Sequence, residues 1–183
     1  MKESIEKKNG QQDNKKESAQ GYEAPGVYVK TFGGFDLFAD GKLVHFQSGK
    51  AKELLAVLVD QKGQAVRLSR LAELLFDEMG DEAAAKRAVH MAWHRLKQTL
   101  KEHDIEQIVT KGRGVYALDC SEISCDYYIM TGENHSGKKE RSRTEYRLDV
   151  GENSFTGEYM PEYSWAEVTL SYLMQYYLQK KDK

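Results

Sequence analysis

The sequence predicts an α+β domain in which short antiparallel strands precede three helices and a final hairpin. Short alternating runs, separated by Gly-Gly and Asp-Gly pairs, cover residues 27–46 and are typical of a small antiparallel meander. Between Ser48 and His103, apolar residues recur in three separate segments at helical spacing. Two short β-branched runs then enclose a Gly-containing tip at residues 111–114, which indicates a β-hairpin.

Composition indicates a soluble, intracellular chain, which we expect to be cytoplasmic. The 183 residues carry a formal net charge of -2, and they contain no apolar run of about 18 residues. Residues 1–25 are polar, with lysines balanced by acids. Such a segment cannot offset its ordering entropy by burial, so we predict a disordered tail, followed by a domain over residues 26–130. Because the chain is not a polycation, any nucleic-acid surface must arise from local charge segregation.

Three strands and two helices are predicted before the third helix. The strands cover residues 27–32, 35–38 and 43–46. The first helix begins after a Ser48 cap and ends at Gly63, and the second covers residues 68–76 after a short strand at 64–66. The apolar positions of the two helices are Ala51, Leu54, Leu55 and Leu58, then Leu68, Leu71, Leu74 and Leu75.

The third predicted helix, at about residues 82–102, has two chemically distinct faces. Its apolar stripe consists of Val89, Ala92, Trp93, Leu96 and Leu100. The residues that point away from the stripe are Arg87, His90, Met91, His94, Gln98 and Lys101. All charged residues from Ala83 to Lys101 are basic. A helix that buries one face and presents the other to anions suits a DNA groove, although a solvated basic face on an ordinary surface helix gives the same pattern.

The second and third helices are joined by a short acidic loop, residues 77–81, which gives a helix-turn-helix arrangement. The hairpin that follows covers residues 108–118, and its tip carries Lys111 and Arg113. Basic hairpin tips are ordinary solvent-exposed features. Beside a basic helix, however, such a hairpin is typical of a wing that contacts phosphates or enters the minor groove.

Over roughly residues 27–128 the chain resembles the OmpR/PhoB-type winged-helix DNA-binding domain, and more closely its version in the SARP-type transcriptional activators of bacteria. The resemblance lies in an ordered set of segments: TFGGFDLFADGKLVHF, SGKAKELLAVLVDQKG, RLSRLAELLF, VHMAWHRLKQTL and IVTKGRGVYALD. It implies that the third helix lies in the major groove and the wing along the adjacent minor groove. The family's base-reading and phosphate-contacting positions fall on Lys86, Arg87, His90, His94, Arg95 and Lys97, and its wing positions on Lys111 and Arg113.

The chain departs from the family's pattern in three respects. The family usually has several arginines in the second half of the third helix, where this chain has His94, Arg95 and Lys97. Histidine is mostly neutral at pH 7, so we expect a weaker and more pH-sensitive grip on DNA. Arg67 stands where the family commonly has a Ser or Thr cap. Most such regulators also carry the phosphorylated receiver domain of phosphorelay signal transduction, and residues 1–25 are too few to hold one.

The C-terminal part has a different composition. Residues 131–150 are predicted to be a polar linker, and residues 151–183 a helical appendage in which Ser164 and Glu167 have capping-box spacing. Its aromatic stripe consists of Trp165, Val168, Tyr172, Leu173 and Tyr176. This stretch resembles the start of the bacterial transcriptional activator domain. The helix either packs on the winged domain as additional core or forms a homodimer or partner interface.

Other chemistries have little support in the sequence. His90 and His94 are spaced i, i+4, as in some zinc sites, but no third ligand or accompanying glutamate is evident. Cys120 and Cys125 lack nearby partner ligands, so we expect reduced, partly buried thiols. Since no nucleophile has a catalytic motif around it, we expect neither an enzyme nor a bound metal or cofactor.

Two hypotheses for function follow. In the first, the chain is a sequence-specific transcription regulator that binds double-stranded DNA, and the resemblance implies that loop 77–81 faces RNA polymerase. This hypothesis assigns base edges to Arg87, His90, His94 and Arg95, and phosphates to Lys97, Lys101, Lys111 and Arg113. In the second, the winged fold is a protein-interaction or assembly module without tight DNA binding, which the near-neutral charge favours.

Overall fold

The structure, a computed structural model, describes residues 26–133 and 158–181. The predicted tail at residues 1–25 and most of the predicted linker lie outside the described residues. Within these two ranges, none of the helices combines the length and the apolar composition that a bilayer span requires.

Four strands form an N-terminal sheet: β1 (Val27–Lys30), β2 (Asp36–Ala39), β3 (Lys42–Leu43) and β7 (Ser124–Cys125), in the order β3-β2-β1-β7. The pairs β1–β2 and β2–β3 are antiparallel, as the Gly-Gly and Asp-Gly turns predict. The prediction that the third strand covers residues 43–46 is wrong, since β3 ends at Leu43. The strand β7, which pairs in parallel with β1, has no counterpart among the predicted strands.

A buried carboxylate fixes β7 against β1. Asp126 is the first residue of a short helix, α4 (Asp126–Thr131). Its Oδ1 accepts hydrogen bonds from the Thr31 amide at 2.9 Å and the Thr31 hydroxyl at 2.6 Å, and its Oδ2 accepts one from the Phe32 amide at 3.1 Å. Burial raises the pKa of Asp126, and the hydrogen bonds to the carboxylate oppose that rise. The helix α4 ends at Thr131, one residue after the predicted domain boundary at residue 130.

Three helices pack against one another beside this sheet: α1 (Gly49–Asp60), α2 (Leu68–Phe76) and α3 (Glu82–Glu102). Ser48 caps α1 as predicted, because its Oγ accepts a hydrogen bond from the Ala51 amide at 3.3 Å. Gly63 lies in the turn after α1 with φ 80°, and a Cβ there would approach Cys120 Sγ to 3.0 Å. Arg67 makes no side-chain capping bond at the start of α2.

A second sheet carries the hairpin, in the order β4-β6-β5, with β4 (Val66–Arg67), β5 (Val109–Lys111) and β6 (Val115–Leu118). At its tip the Gly112 amide donates to the Val115 carbonyl at 2.9 Å, and Gly114 has φ 72°. We call this hairpin, residues 109–118, the wing. Together, the N-terminal sheet, the three helices and the wing form the winged helix-turn-helix fold that the sequence predicts.

Both cysteines are free, as predicted, and both are buried. Cys120 is 8% exposed and Cys125 is fully buried, so the thiols lie deeper than the predicted partial burial. The reason is that Cys125 belongs to β7, which joins the N-terminal sheet. Burial raises the pKa of both thiols, which disfavours the reactive thiolate.

Residues 158–166 are held against the N-terminal sheet and α1. Tyr159 forms an antiparallel bridge with Phe32, and its hydroxyl donates to Asp60 Oδ1 at 3.0 Å. The Glu162 carboxylate accepts a hydrogen bond from the Phe35 amide at 2.7 Å. In addition, Trp165 Nε1 donates to Glu53 Oε1 of α1 at 3.2 Å. We call these residues, 158–166, the C-terminal clasp.

The helix after the clasp, α5 (Glu167–Lys181), begins later than the capping-box spacing of Ser164 and Glu167 predicts, because residues Ser164–Ala166 form a 3-10 turn. The predicted aromatic stripe is divided. Leu173 is fully buried in the main core, whereas Val168 is 80% exposed and Tyr172 is 53% exposed. The structure therefore shows packing on the domain through Leu173, and the homodimer through this helix stays a prediction.

Two substitutions in α5 test this packing. We expect Leu173→Ala to lower the free energy of unfolding by about 2–5 kcal/mol, because it leaves a cavity in the core. Val168→Ala, in the same helix, is expected to change it by less than about 0.5 kcal/mol, because Val168 is exposed. Urea unfolding of the full chain measures both, and equal effects of the two substitutions would contradict the packing described here.

Candidate nucleic-acid interface

The start of α3 is fixed by a side-chain cap. Asp81 Oδ1 accepts a hydrogen bond from the Ala83 amide at 2.9 Å. Gly80, just before it in the acidic loop, has φ 64°, a left-handed conformation that glycine adopts readily. The helix then continues to Glu102, so the predicted range of 82–102 is confirmed.

One side of α3 is buried and the opposite side is exposed. Of the predicted stripe, Trp93 alone is only partly buried, and the other four residues are buried. The exposed side consists of Arg87, His90, Met91, His94, Gln98 and Lys101, as predicted. We call these six residues the outward face of α3.

The lysine and arginine side chains of this region differ in the ion pairs that they form with other residues. Lys86 pairs with Glu82 one turn earlier, and Arg87 Nη2 lies 3.9 Å from Asp81 Oδ2. Within residues 26–133 and 158–181, no ion pair engages Arg95, Lys101 or Arg113. Those three side chains are exposed, so they would break no ion pair within the described residues on binding an anion.

Lys97 has a structural contact that the sequence did not reveal. Its Nζ donates a hydrogen bond to the Glu106 carbonyl oxygen at 2.7 Å, and the side chain is partly buried. The ammonium thereby anchors the turn between α3 and the wing. One of its three N–H donors is occupied, so Lys97 can offer fewer donors to a phosphate than Lys101.

The wing lies beside α3 because Tyr116 packs between them. The Tyr116 ring meets the Trp93 ring edge-on, with centroids 5.0 Å apart, and its hydroxyl lies 3.0 Å from His90 Nδ1. Lys111 Nζ lies over the same ring, 5.3 Å from its centroid. Lys111 of the wing and His90 of the outward face therefore contact one side chain, and Arg113 is exposed at the tip of the same hairpin.

Arg95 lies on the other flank of α3 from the wing. With Met91 it borders an open groove of about 970 Å³, whose remaining walls come from the start of α1, from Phe76 and from Tyr163 of the C-terminal clasp. Of the nine sequence-predicted residues, the outward face contains Arg87, His90, His94 and Lys101, and Arg95 borders the groove beside it. Two more, Lys86 and Lys97, contact protein groups, and Lys111 and Arg113 lie on the wing.

Sequence reasoning missed Tyr116, although a signal for it exists. Alternation in β6 places Tyr116 and Leu118 on the inner side of the wing, and both are buried. The pattern could not show that the hydroxyl reaches His90, since that depends on the distance between the wing and α3. Among the described residues, no group of three metal-binding side chains surrounds the two histidines.

Comparisons with known proteins support the fold. No protein-family model and no curated protein matches the chain. Among solved structures, the chain is similar to Mycobacterium tuberculosis EmbR in complex with a low affinity phosphopeptide, with a TM-score of 0.61 and 16% sequence identity. The match covers 84% of this chain and 43% of EmbR, so this chain spans less than half of the EmbR chain. At this identity the likeness extends to the fold alone.

The cap of α3 can be tested with a matched pair of substitutions. We expect Asp81→Ala to lower the free energy of unfolding by about 1 kcal/mol, because the Ala83 amide loses its acceptor. Asp81→Asn keeps a capping oxygen and should be nearly neutral. Both remove the same charge near Arg87, so an equal loss in the two variants in urea unfolding would show that charge, rather than capping, is the cause.

Proposed function

We propose that this chain is a sequence-specific DNA-binding transcription regulator, with α3 in the major groove and the wing on the backbone or in the adjacent minor groove. The observation that carries the proposal is the placement of cationic and imidazole side chains along the exposed side of one helix, with a basic wing held beside it through Tyr116. An α-helix has the width that the major groove accommodates, and the wing adds contacts to phosphates.

Local charge supports the proposal although the chain as a whole is slightly acidic. The charged residues between Ala83 and Lys101 are all basic, and the acids of this region precede them in the loop and the first turn. A duplex approaching the outward face therefore meets the basic residues from Arg87 to Lys101, with Asp81 3.9 Å from Arg87 at the start of the helix. The assignments are unchanged: base edges for Arg87, His90, His94 and Arg95, and phosphates for Lys97, Lys101, Lys111 and Arg113.

The likeness to EmbR adds coarse support. This chain and EmbR share the winged-helix fold, and that fold is the one the proposal requires. The loop between α2 and α3 also fits a role in transcription regulation. Residues 77–81 are all exposed, three of them are acidic beside Met79, and we propose that this loop contacts RNA polymerase.

The first experiment selects duplex fragments that the purified full chain retains from genomic DNA, then measures affinity for a selected fragment against salt. We expect the logarithm of the association constant to fall linearly with the logarithm of salt concentration, by about 0.9 for each phosphate contacted. If no fragment is enriched and binding to duplex DNA is undetectable at low salt, this proposal is wrong and the alternative of a protein-interaction module remains.

Base recognition is tested by Arg87→Ala combined with Arg95→Ala. We expect the ratio of affinities for the selected fragment and an unrelated duplex to fall by about 5- to 150-fold for each base that an arginine no longer reads. Lys42→Ala is the matched control, because it removes an exposed cation from β3 of the N-terminal sheet. Competition binding at fixed salt gives the ratio, and a ratio unchanged by the double substitution would remove both arginines from base recognition.

The wing is tested by Lys111→Ala combined with Arg113→Ala. Since phosphates carry no sequence information, we expect affinity to fall by a similar factor for every duplex. The slope of the salt dependence should decrease by about 2, which is about 1 for each cation. A loss confined to the selected fragment would instead place these side chains at bases.

A further inference from the structure

Tyr116 has a hydroxyl that makes one hydrogen bond among the described residues. The residue is fully buried, so its hydroxyl has little access to water. Within the described residues, the hydroxyl forms one hydrogen bond, to His90 Nδ1 at 3.0 Å. A phenol can donate or accept in such a contact, and an imidazole nitrogen can do either according to its tautomer.

The surroundings decide which group donates. Burial raises the pKa of Tyr116, so the phenol keeps its proton at neutral pH. If His90 Nδ1 carried a proton and donated it, the phenol proton would lack an acceptor among the described residues. An unmet buried donor is costly, whereas a phenol that donates to a lone pair on Nδ1 leaves no unmet donor in the contact.

We infer that Tyr116 is a positioning residue that holds His90 in its Nε2–H tautomer, so that His90 presents a hydrogen-bond donor on the outward face of α3. The acceptors that match an N–H donor there are phosphate oxygens and the major-groove base acceptors, which are N7 of either purine, O6 of guanine and O4 of thymine. The inference that His90 donates to a base or a phosphate rests on the proposed function, whereas the inferred tautomer of His90 does not.

The Tyr116 ring is fixed on several sides, so the hydroxyl has a defined direction. Its strand pairs with β4 through Val66 and with β5 through Lys111. The Trp93 ring meets it edge-on, and Lys111 Nζ lies over its face. A shift of the wing relative to α3 would therefore move the hydroxyl away from His90.

His94 provides an internal reference. It is exposed on the same face one turn later, and no hydrogen bond from another described residue constrains its ring. The two imidazoles of one helix are thus expected to behave differently. His90 has one tautomer and one orientation, whereas His94 exchanges between tautomers.

The first test uses the free protein, labelled with ¹⁵N at histidine, at pH about 8.5, where an ordinary imidazole is neutral. Long-range ¹H–¹⁵N spectra report which ring nitrogen carries the proton. We expect His90 to be entirely Nε2–H and His94 to be a mixture. In Tyr116→Phe, which keeps the ring and its packing, the Nδ1–H fraction of His90 should rise towards that of His94. An Nδ1–H tautomer at His90, or the same mixture at both histidines of the wild type, overturns the inference.

The second test measures DNA selectivity. We expect Tyr116→Phe to reduce the ratio of affinities for the selected fragment and an unrelated duplex by about 2- to 10-fold, the effect of one neutral hydrogen bond. The loss should be absent in a His90→Ala background, and it should persist in a His94→Ala background. His90→Gln keeps an outward N–H donor without a ring nitrogen facing Tyr116, so its selectivity should not respond to Tyr116→Phe.

The results of the two tests distinguish a failure of the inference about Tyr116 from a failure of the proposed function. If duplex DNA is not bound but His90 is Nε2–H in a Tyr116-dependent manner, the proposed function fails and the positioning by Tyr116 stands. If DNA is bound selectively but Tyr116→Phe changes selectivity equally in His90→Ala and wild-type backgrounds, the positioning role fails and the function stands. Circular dichroism and urea unfolding of Tyr116→Phe establish that the variant is folded.

Discussion

Burial of one side of α3 is the constraint on which the rest of the structure depends. Ala85, Val89, Leu96 and Leu100 lie in the core, where α1 and α2 pack against the helix. Because an α-helix repeats every 3.6 residues, fixing these positions also fixes the opposite side. The direction in which Arg87 and its exposed neighbours leave the helix is therefore set by the apolar packing of the opposite side.

The net charge of the chain is only -2, but acidic and basic residues are segregated along the sequence around α3. Acids are concentrated in the loop before α3 and at its first turn, where the helix dipole favours negative charge. Basic residues begin at Lys86 and continue to Lys101. Two surfaces of opposite sign are thus neighbours in one helix-turn-helix.

Much of the fold could be predicted because its signals are local. The caps at Ser48 and Asp81 and the periodicity of three helices lie within a few residues of what they determine. The bond from the Thr31 amide to Asp126 joins residues 95 positions apart, and no periodicity encodes it. For the candidate site, periodicity predicted exposure correctly but could not predict contacts such as that of Tyr116 with His90. The sequence pattern also could not predict that only part of the α5 stripe is buried, because a helix that packs along one edge buries only the side chains that face the domain.

The C-terminal clasp has a consequence for how the molecule unfolds. Phe35 is almost fully buried, and its amide is satisfied by a carboxylate from Glu162, which belongs to the other described range. Detaching residues 158–166 would leave that amide without an acceptor and expose apolar surface on both sides of the contact. We therefore expect the N-terminal sheet and the clasp to unfold together, because the release of residues 158–166 would remove both a hydrogen bond and apolar contacts from the sheet.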